Sequence, residues 1–247
     1  MARRAREASE TGIYHIMIRG IDRQLIFNDD EDCERMLQIL ADVKDVSGCE
    51  IYAYCLMSNH GHFLIKAVKE NAAQIFKRIG VKYVYWYNVK YNRVGHLFQD
   101  RFLSEPVNDD KYLLSVLRYI HQNPVKADIC TEVSDYKWSS YREYTGKSSI
   151  IDTEFVYGLI SRNEFPEFNK SEETGQYLEY KKPAYRINDE RAKELIGEIS
   201  QCGSFEEFTQ MGLTDKRVFL KSFKKAGMSI GQISRLTGIS RGIIERS

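Results

Sequence analysis

The sequence has no apolar run near the roughly 20 residues a helix needs to cross a bilayer. Its basic start, Met1-Ala2-Arg3-Arg4-Ala5-Arg6, is not followed by the apolar segment of a signal peptide. A cytoplasmic protein without a membrane partner is the expectation. The five cysteines, Cys33, Cys49, Cys55, Cys130 and Cys202, are odd in number and include no Cys-x-x-Cys pair. That argues against a disulfide framework or a thiolate zinc cluster and for reduced, mostly buried thiols. No internal repeat and no low-complexity tract stands out. An excess of one charge is also missing, with 36 Lys+Arg against 35 Asp+Glu.

The even total hides an uneven distribution. Residues 216–247 carry 8 basic residues and 1 acid, residues 151–215 carry 7 and 14, and residues 1–150 carry 21 and 20. The overall charge is therefore silent on nucleic acid, while the tail favours it locally. With 247 residues, 43% of them hydrophobic, the chain suffices for one sizeable core and a small appended domain. Sixteen tyrosines are many. Packing of strands and helices accounts for most of them, and surfaces that stack bases for others.

The stretch Tyr54-Cys55-Leu56-Met57-Ser58-Asn59-His60-Gly61-His62-Phe63-Leu64-Ile65 reads as two strands joined at Ser58-Asn59. Side chains two apart in a strand project to one side, so His60 and His62 can present two imidazoles to one point. Neutral imidazole is a common ligand of divalent metals. A His-x-His pair alone is more often surface or core, and it needs a third ligand.

Around this hairpin the pattern is regular. Ile13–Gly20 reads as a first strand, and a helix capped at Asp29 or Asp30 follows, with acids in its first turn, and ends at Gly48. The strands Ile51–Met57 and His60–Lys66 come next. Ala72 to about Tyr91 has helical spacing, and Gly95 to about Val107 reads as turn and strand. The order β-α-β-β-α-β predicts an α+β, ferredoxin-like antiparallel sheet with helices on one face, leaving the other for a site.

The next helix, capped at Asn108 or Asp109, carries Tyr112 and Tyr119 on roughly one face. Asn123 lies one turn after Tyr119, and Pro124 predicts the helix end. Residues 147–212 read as an acidic helical connector after a domain spanning 1–146, with helices expected around Thr153–Arg162 and Asp189–Ser200. In 213–247, Asp215–Ala226 reads as one helix ended by Gly227. Ser229 then caps a short helix that ends at Gly238, and Ser240 caps another beginning with Arg241. This is the layout of a helix-turn-helix, whose second helix enters the major groove of duplex DNA by its N-terminal residues. Arg235, Ser240 and Arg241 are the candidate contacts. Arg101 is a candidate phosphate contact, though a surface ion pair fits it as well. Arg3, Arg4 and Arg6 are possible DNA contacts in a basic terminus, and His15 and His96 read as structural.

Taken together, Met57–Ile65, Gly95–Phe102 and Leu117–Ala127 resemble the single-tyrosine HUH transposases of the insertion-sequence 200-like kind. The REP-associated tyrosine transposases are the more similar branch, and Trp138-Ser139-Ser140-Tyr141 fits it too. The resemblance covers about residues 8–146. It implies that Tyr119 is the nucleophile and that His60, His62 and Asn123 bind Mg²⁺ or Mn²⁺. It implies single-stranded DNA recognised near a hairpin as substrate, cut to leave a 5′-phosphotyrosine and a free 3′-OH. The chemistry agrees with this: a divalent cation offsets charge on a phosphodiester, and a phenolate is both nucleophile and leaving group. Tyr112 is the competing tyrosine, and Gln122 and His121 stand near enough to replace Asn123. Gly61 departs from the bulky apolar residue frequent between the histidines of this family. An amide is a weak ligand for a hard cation, so modest metal affinity is expected. Two other readings fit parts of the chain: a domesticated DNA-binding regulator that has lost transposition, and an incidental closed zinc site in an unrelated domain.

Overall fold

A computed structural model describes residues 7–146, 148–171, 175, 177, 178, 188–202 and 204–246. Arg3, Arg4 and Arg6 lie outside them. The chain forms two compact units, Met1–Glu179 and Tyr180–Ser247. The acidic stretch 147–212 is thus divided between the two, because Val156 and Phe165 are buried in one core while Ala192, Ile196 and Phe208 are buried in another.

The first unit is built on a four-stranded antiparallel sheet of β1 (Ile13–Arg19), β2 (Glu50–Met57), β3 (His60–Lys66) and β4 (Leu103–Val107), in the order β2-β3-β1-β4. This is the expected ferredoxin-like arrangement. The fourth strand is shorter than the sequence pattern suggests. Residues 97–99 still bond to the end of β1, through Ile21 N–H to Leu97 O at 3.0 Å and Gln99 N–H to Arg19 O at 2.9 Å. The chain leaves the ladder between there and Leu103.

Helix α1 (Asp30–Ser47) starts at Asp29, whose carboxylate accepts from the Asp32 N–H, and ends at Gly48 in the left-handed region. Helix α2 (Ala72–Lys90) starts at Asn71, which accepts from the Gln74 N–H. It buries Ile75, Phe76, Ile79 and Tyr83 at spacings of one to four residues, the stripe by which a helix packs on a sheet. The Phe76 ring meets Phe63 of β3 edge-on at 5.3 Å, which places α2 on the Phe63 face. Helix α3 (Asp110–Lys126) starts at Asp109, which accepts from the Tyr112 N–H, and lies on the opposite face, beside His62.

Pro124 does not end α3, contrary to the sequence expectation. Proline removes one intrahelical bond, that of its own N–H. The helix continues because Ala127 N–H still bonds to Asn123 O at 3.1 Å and Ile129 N–H to Pro124 O at 2.9 Å.

Short helices α4 (Tyr141–Thr145), α5 (Thr153–Tyr157) and α6 (Phe165–Lys170) complete the unit. The segment before α4 bonds to β2, with Leu56 N–H to Trp138 O at 2.9 Å and Ser140 N–H to Tyr54 O at 2.9 Å. His121 of α3 joins these pieces. Its Nδ1 is 2.8 Å from Asn169 Oδ1, and its Nε2 is 2.9 Å from Ser140 Oγ. Asn169 uses its NH₂ on Phe165 O, so its oxygen faces the ring and His121 donates from Nδ1.

The second unit is helical among its described residues. It comprises α7 (Asp189–Ser200), α8 (Phe205–Gln210), α9 (Leu213–Val218), α10 (Leu220–Lys225), α11 (Ile230–Thr237) and α12 (Arg241–Glu245). The expected single helix over 215–226 is instead the pair α9 and α10. At Phe219 the N–H bonds three residues back, to Lys216 O, and the ring is drawn against Phe208 and Phe223. Ile196, Phe208, Phe223, Ile233 and Ile244 fill the core. Among the described residues no helix is long and apolar enough to cross a membrane.

Burial pushes the His121 imidazole down to about 4. In the unfolded chain it titrates near 6.5, so the unfolded state binds more protons between those values. Stability is therefore full above pH 6.5 and falls as the pH drops toward 4. From pH 7.5 to 5 the loss through His121 alone is about 2 kcal/mol. Urea unfolding at the two pH values should show this slope in the wild type. His121→Gln should be less stable at pH 7.5 and less pH-dependent by that amount; an unchanged slope would refute the assignment.

Candidate active site

The two histidines owe their placement to a tight hairpin. Neither Ser58 nor Asn59 has a positive φ, so the turn is not one of the mirror-image types that favour two-residue hairpins. Its carbonyls are bonded from outside instead. Ser58 O accepts from the N–H groups of Ile26 and Phe27, and Asn59 O accepts from Gly20 N–H at 3.0 Å. Gly20 has to be glycine there, since a Cβ would stand 2.2 Å from Gln24 O.

In the register of β3, His60 faces Arg19 and Met57, and His62 faces Met17 and Cys55. Both histidines point to the α3 side. Gly61 points to the other side, where a Cβ would already be 3.2 Å from the Phe63 ring. The glycine that departs from the family pattern therefore sits where Phe63 has taken the space.

Each histidine has its Nδ1 engaged. His60 Nδ1 is 2.7 Å from Asn59 Oδ1, and its Nε2 is 3.4 Å from Asn123 Oδ1. His62 is buried, and its Nδ1 is 2.9 Å from His15 Nε2. Burial, and then the neighbouring His15 and His60, hold His62 well below its ordinary pKa, so it is neutral at pH 7. The two rings meet edge-on with centroids 5.2 Å apart.

Helix α3 brings up the rest. The Tyr119 ring is 5.5 Å from the His62 ring and 5.9 Å from that of His15. Lys126 Nζ lies 5.2 Å from its centroid. Tyr112, two helical turns earlier, is engaged elsewhere, since its hydroxyl interacts with Glu105, and burial raises its pKa. Of the three candidates for a third ligand, His121 is bonded to Asn169 and Ser140. Gln122 donates to Asn169 O and Ser171 O at 2.8 and 2.7 Å. Asn123 is the one at His60. No group of three His, Cys, Asp or Glu able to hold a metal occurs among the described residues; the polar groups gathered here are two imidazoles and an amide.

Several neighbours were not foreseen. His15, read as structural from sequence, bonds to His62, and Glu105 of β4 faces His15 at 3.8 Å. The neighbouring His15 is the largest influence that holds the Glu105 carboxyl below its ordinary range. Tyr177 stacks on Tyr119 at 4.4 Å, leaving Tyr119 only 5% exposed. Tyr177 lies in a stretch without periodic pattern, which carries no sequence signal for this contact.

The remaining candidates lie apart. Arg101 lines a groove of about 480 Å³ with Phe76, Lys77, Phe98 and Phe102, and neither histidine, Tyr119 nor Asn123 lines it. In the second unit Arg235 is paired to Asp189 through both guanidinium nitrogens, at 2.5 and 2.8 Å. Ser229 caps α11 by accepting from Gln232 N–H, and Gly238 ends it with φ 75°. Ser240 precedes α12 without a side-chain cap bond, and Arg241 is exposed.

Residues 8–123 match the sequence family described as "Transposase IS200 like". That span runs through the whole sheet and to Asn123 of α3, and over it the chain is similar to this family of transposases. It is an enzyme of that class, a transposase with a tyrosine nucleophile. No curated protein matches the chain. Among solved structures, a REP-associated tyrosine transposase bound to a REP hairpin is 16% identical with a TM-score of 0.56, covering 74% of this chain and 99% of that one. A transposase structure from Deinococcus radiodurans R1 is 18% identical with a TM-score of 0.35, covering 49% and 97%. The first supports the fold.

Removing the stacked ring should uncover Tyr119. In Tyr177→Ala, nitration of Tyr119, mapped by peptide mass spectrometry, is expected to rise several-fold over the wild type while Tyr83, fully buried on α2, stays unreactive. Equal nitration of Tyr119 in both proteins would contradict the stacked arrangement.

Proposed function

We propose that the chain is a metal-dependent single-stranded DNA endonuclease and strand-transferase that cuts at hairpin-flanked sites, with Tyr119 as its nucleophile. One observation carries this reading: Tyr119 and Asn123, one turn apart on α3, both face the His60–His62 pair. The matched transposase structure is bound to a REP hairpin, which supports a hairpin-forming strand as the substrate here.

The donor set fits a divalent cation. His60 Nδ1 faces an amide oxygen, Asn59 Oδ1, whose own NH₂ is directed at Arg23 O. Nε2 faces Asn123 Oδ1 at 3.4 Å, so the shorter contact, at Nδ1, has the stronger claim on the ring proton and leaves Nε2 for a cation. His60, His62 and Asn123 would hold Mg²⁺ or Mn²⁺. When bound, such a cation polarises a non-bridging phosphate oxygen and offsets the charge that develops there. The Tyr119 hydroxyl loses its proton and its oxygen bonds to phosphorus. The bond to the 3′ oxygen breaks, leaving a 5′-phosphotyrosine and, after protonation, a free 3′-OH. Attack by another 3′-OH on that phosphorus expels the Tyr119 phenolate and completes transfer without ATP. Lys126, beside the Tyr119 ring, places a positive charge near the phenolate.

In the second unit we assign duplex binding to α11 and α12, with Arg241 and Ser240 at the start of the second helix. Arg235, paired to Asp189, holds α11 to α7 rather than reaching for DNA. Residues 1–146 would then cut and join, 213–247 would bind duplex, and 147–212 would be shared between the two units.

Labelled single-stranded oligonucleotides carrying flanking hairpins, incubated with Mn²⁺, should give a covalent protein–DNA band. Tyr119→Phe should abolish it, and His60→Ala and His62→Ala should reduce it at least 100-fold. A band that survives in Tyr119→Phe and vanishes in Tyr112→Phe would move the nucleophile to Tyr112. Tight metal-independent duplex binding with no covalent band would favour the regulator.

A further inference from the structure

The two histidines are held by partners of different kinds. Asn59 offers His60 Nδ1 an oxygen that can only accept, at 2.7 Å against 3.4 Å for Asn123 Oδ1 at Nε2, so the nearer oxygen favours the proton of a neutral His60 on Nδ1. His62 has an imidazole as its partner instead, and His15 Nε2 can either accept from His62 Nδ1 or donate to it. These alternatives have opposite consequences. Acceptance by His15 leaves His62 Nε2 bare. Donation by His15 forces the His62 proton onto Nε2, which then cannot bind a cation.

Glu105 supplies the missing direction. In the register of β1 against β4, His15 stands opposite Glu105, and both project toward the same face. Glu105 Oε2 and His15 Nδ1 are 3.8 Å apart, and both are buried atoms with no hydrogen-bond partner among the described residues. A carboxylate can only accept, so it favours the His15 proton on Nδ1. His15 Nε2 is then bare and takes the proton of His62 Nδ1. The Tyr112 hydroxyl and the Leu178 backbone N–H steady the same carboxylate.

We propose that Glu105 and His15 form a relay of positioning residues that fixes the tautomer of His62, holding its proton on Nδ1 and leaving its Nε2 bare for a cation. The relay rests on the metal-site reading for its purpose, but the tautomer itself does not depend on metal. It explains why a histidine is fully buried on β1 and why the Tyr112 hydroxyl is held at Glu105.

Long-range ¹H–¹⁵N spectra of the metal-free, full-length protein at pH 8 report the tautomer directly. His62 should be Nδ1-protonated in the wild type. In Glu105→Gln, which keeps the volume of the side chain and alters a partly exposed residue, the Nε2-protonated form should appear. Mn²⁺ affinity, followed by electron paramagnetic resonance of the free ion, should fall about 10-fold in Glu105→Gln and about 100-fold in His15→Phe. His15→Gln, whose amide oxygen can accept from His62 Nδ1, should recover part of the second loss, which a purely structural role would not produce. Circular dichroism melts identify any variant that fails to fold, and Glu105→Gln carries the test in that case. An Nε2-protonated His62 in the wild type, or an unchanged tautomer in Glu105→Gln, overturns the relay. If the wild type does not bind Mn²⁺ while the tautomer behaves as expected, the relay stands and the metal reading falls.

Discussion

The register of β1 against β3 is the constraint on which the site depends. Met17 stands opposite His62 and Arg19 opposite His60. Because side chains alternate with a period of two, a slip of one residue would turn both imidazoles toward Phe76 and bring Phe63 to α3. The slip is prevented from both ends. Burial of Ile16, Phe63 and Ile65 commits one face to the helices, and Gly20 bonded to the hairpin turn locks the end nearest His60. The same register sets His15 beside His62 and Glu105 beside His15, so one alignment of strands arranges two layers of the site.

Helix α3 meets that face with an unusual sequence of buried polar residues. His121, Gln122 and Asn123 are all buried. A buried polar group is costly unless it is hydrogen-bonded, and each of the three is, with Asn169 serving both His121 and Gln122. His121 ties α3 to α6 and to the segment bonded to β2. Gln122 holds the chain that follows α6. Asn123 turns to His60. Two of them thus anchor the helix, and the anchoring lets Tyr119 and Asn123 hold a fixed attitude to the histidines. Precision of this kind is what a phosphoryl-transfer site requires, since small displacements of the reacting groups cost large factors in rate.

The second unit follows simpler rules. Its core is apolar, and its caps are local: Asn188, Ser204 and Ser229 each accept from an N–H three residues on. The exposed pair between Arg235 and Asp189 contributes on the order of 1 kcal/mol or less, but it commits an arginine that a reading of α11 alone assigns to DNA. The basic surplus of the tail therefore rests on its other residues, Arg241 among them.

Much of this was legible in the residues themselves. Apolar runs over 51–66 and helical spacing over 30–47 and 72–90 determine the elements. The cap residues locate helix starts to within a residue. The His60–His62 pair follows from strand period, and the Tyr119–Asn123 pair from helix period, since both spacings are local geometry. What lay beyond local geometry was decided by the tertiary fold. That Asn123, and neither Gln122 nor His121, faces His60 follows from the partners that claim the other two, Ser140, Asn169 and Ser171. That Tyr119 meets His62 while the Tyr112 hydroxyl is held at Glu105 depends on β4. That α3 runs past Pro124, that His15 bonds to His62 and that Tyr177 covers Tyr119 all depend on contacts between residues far apart in the chain. Periodicity reports how a segment relates to its own axis, but only packing decides which of several suitable side chains meets a given partner.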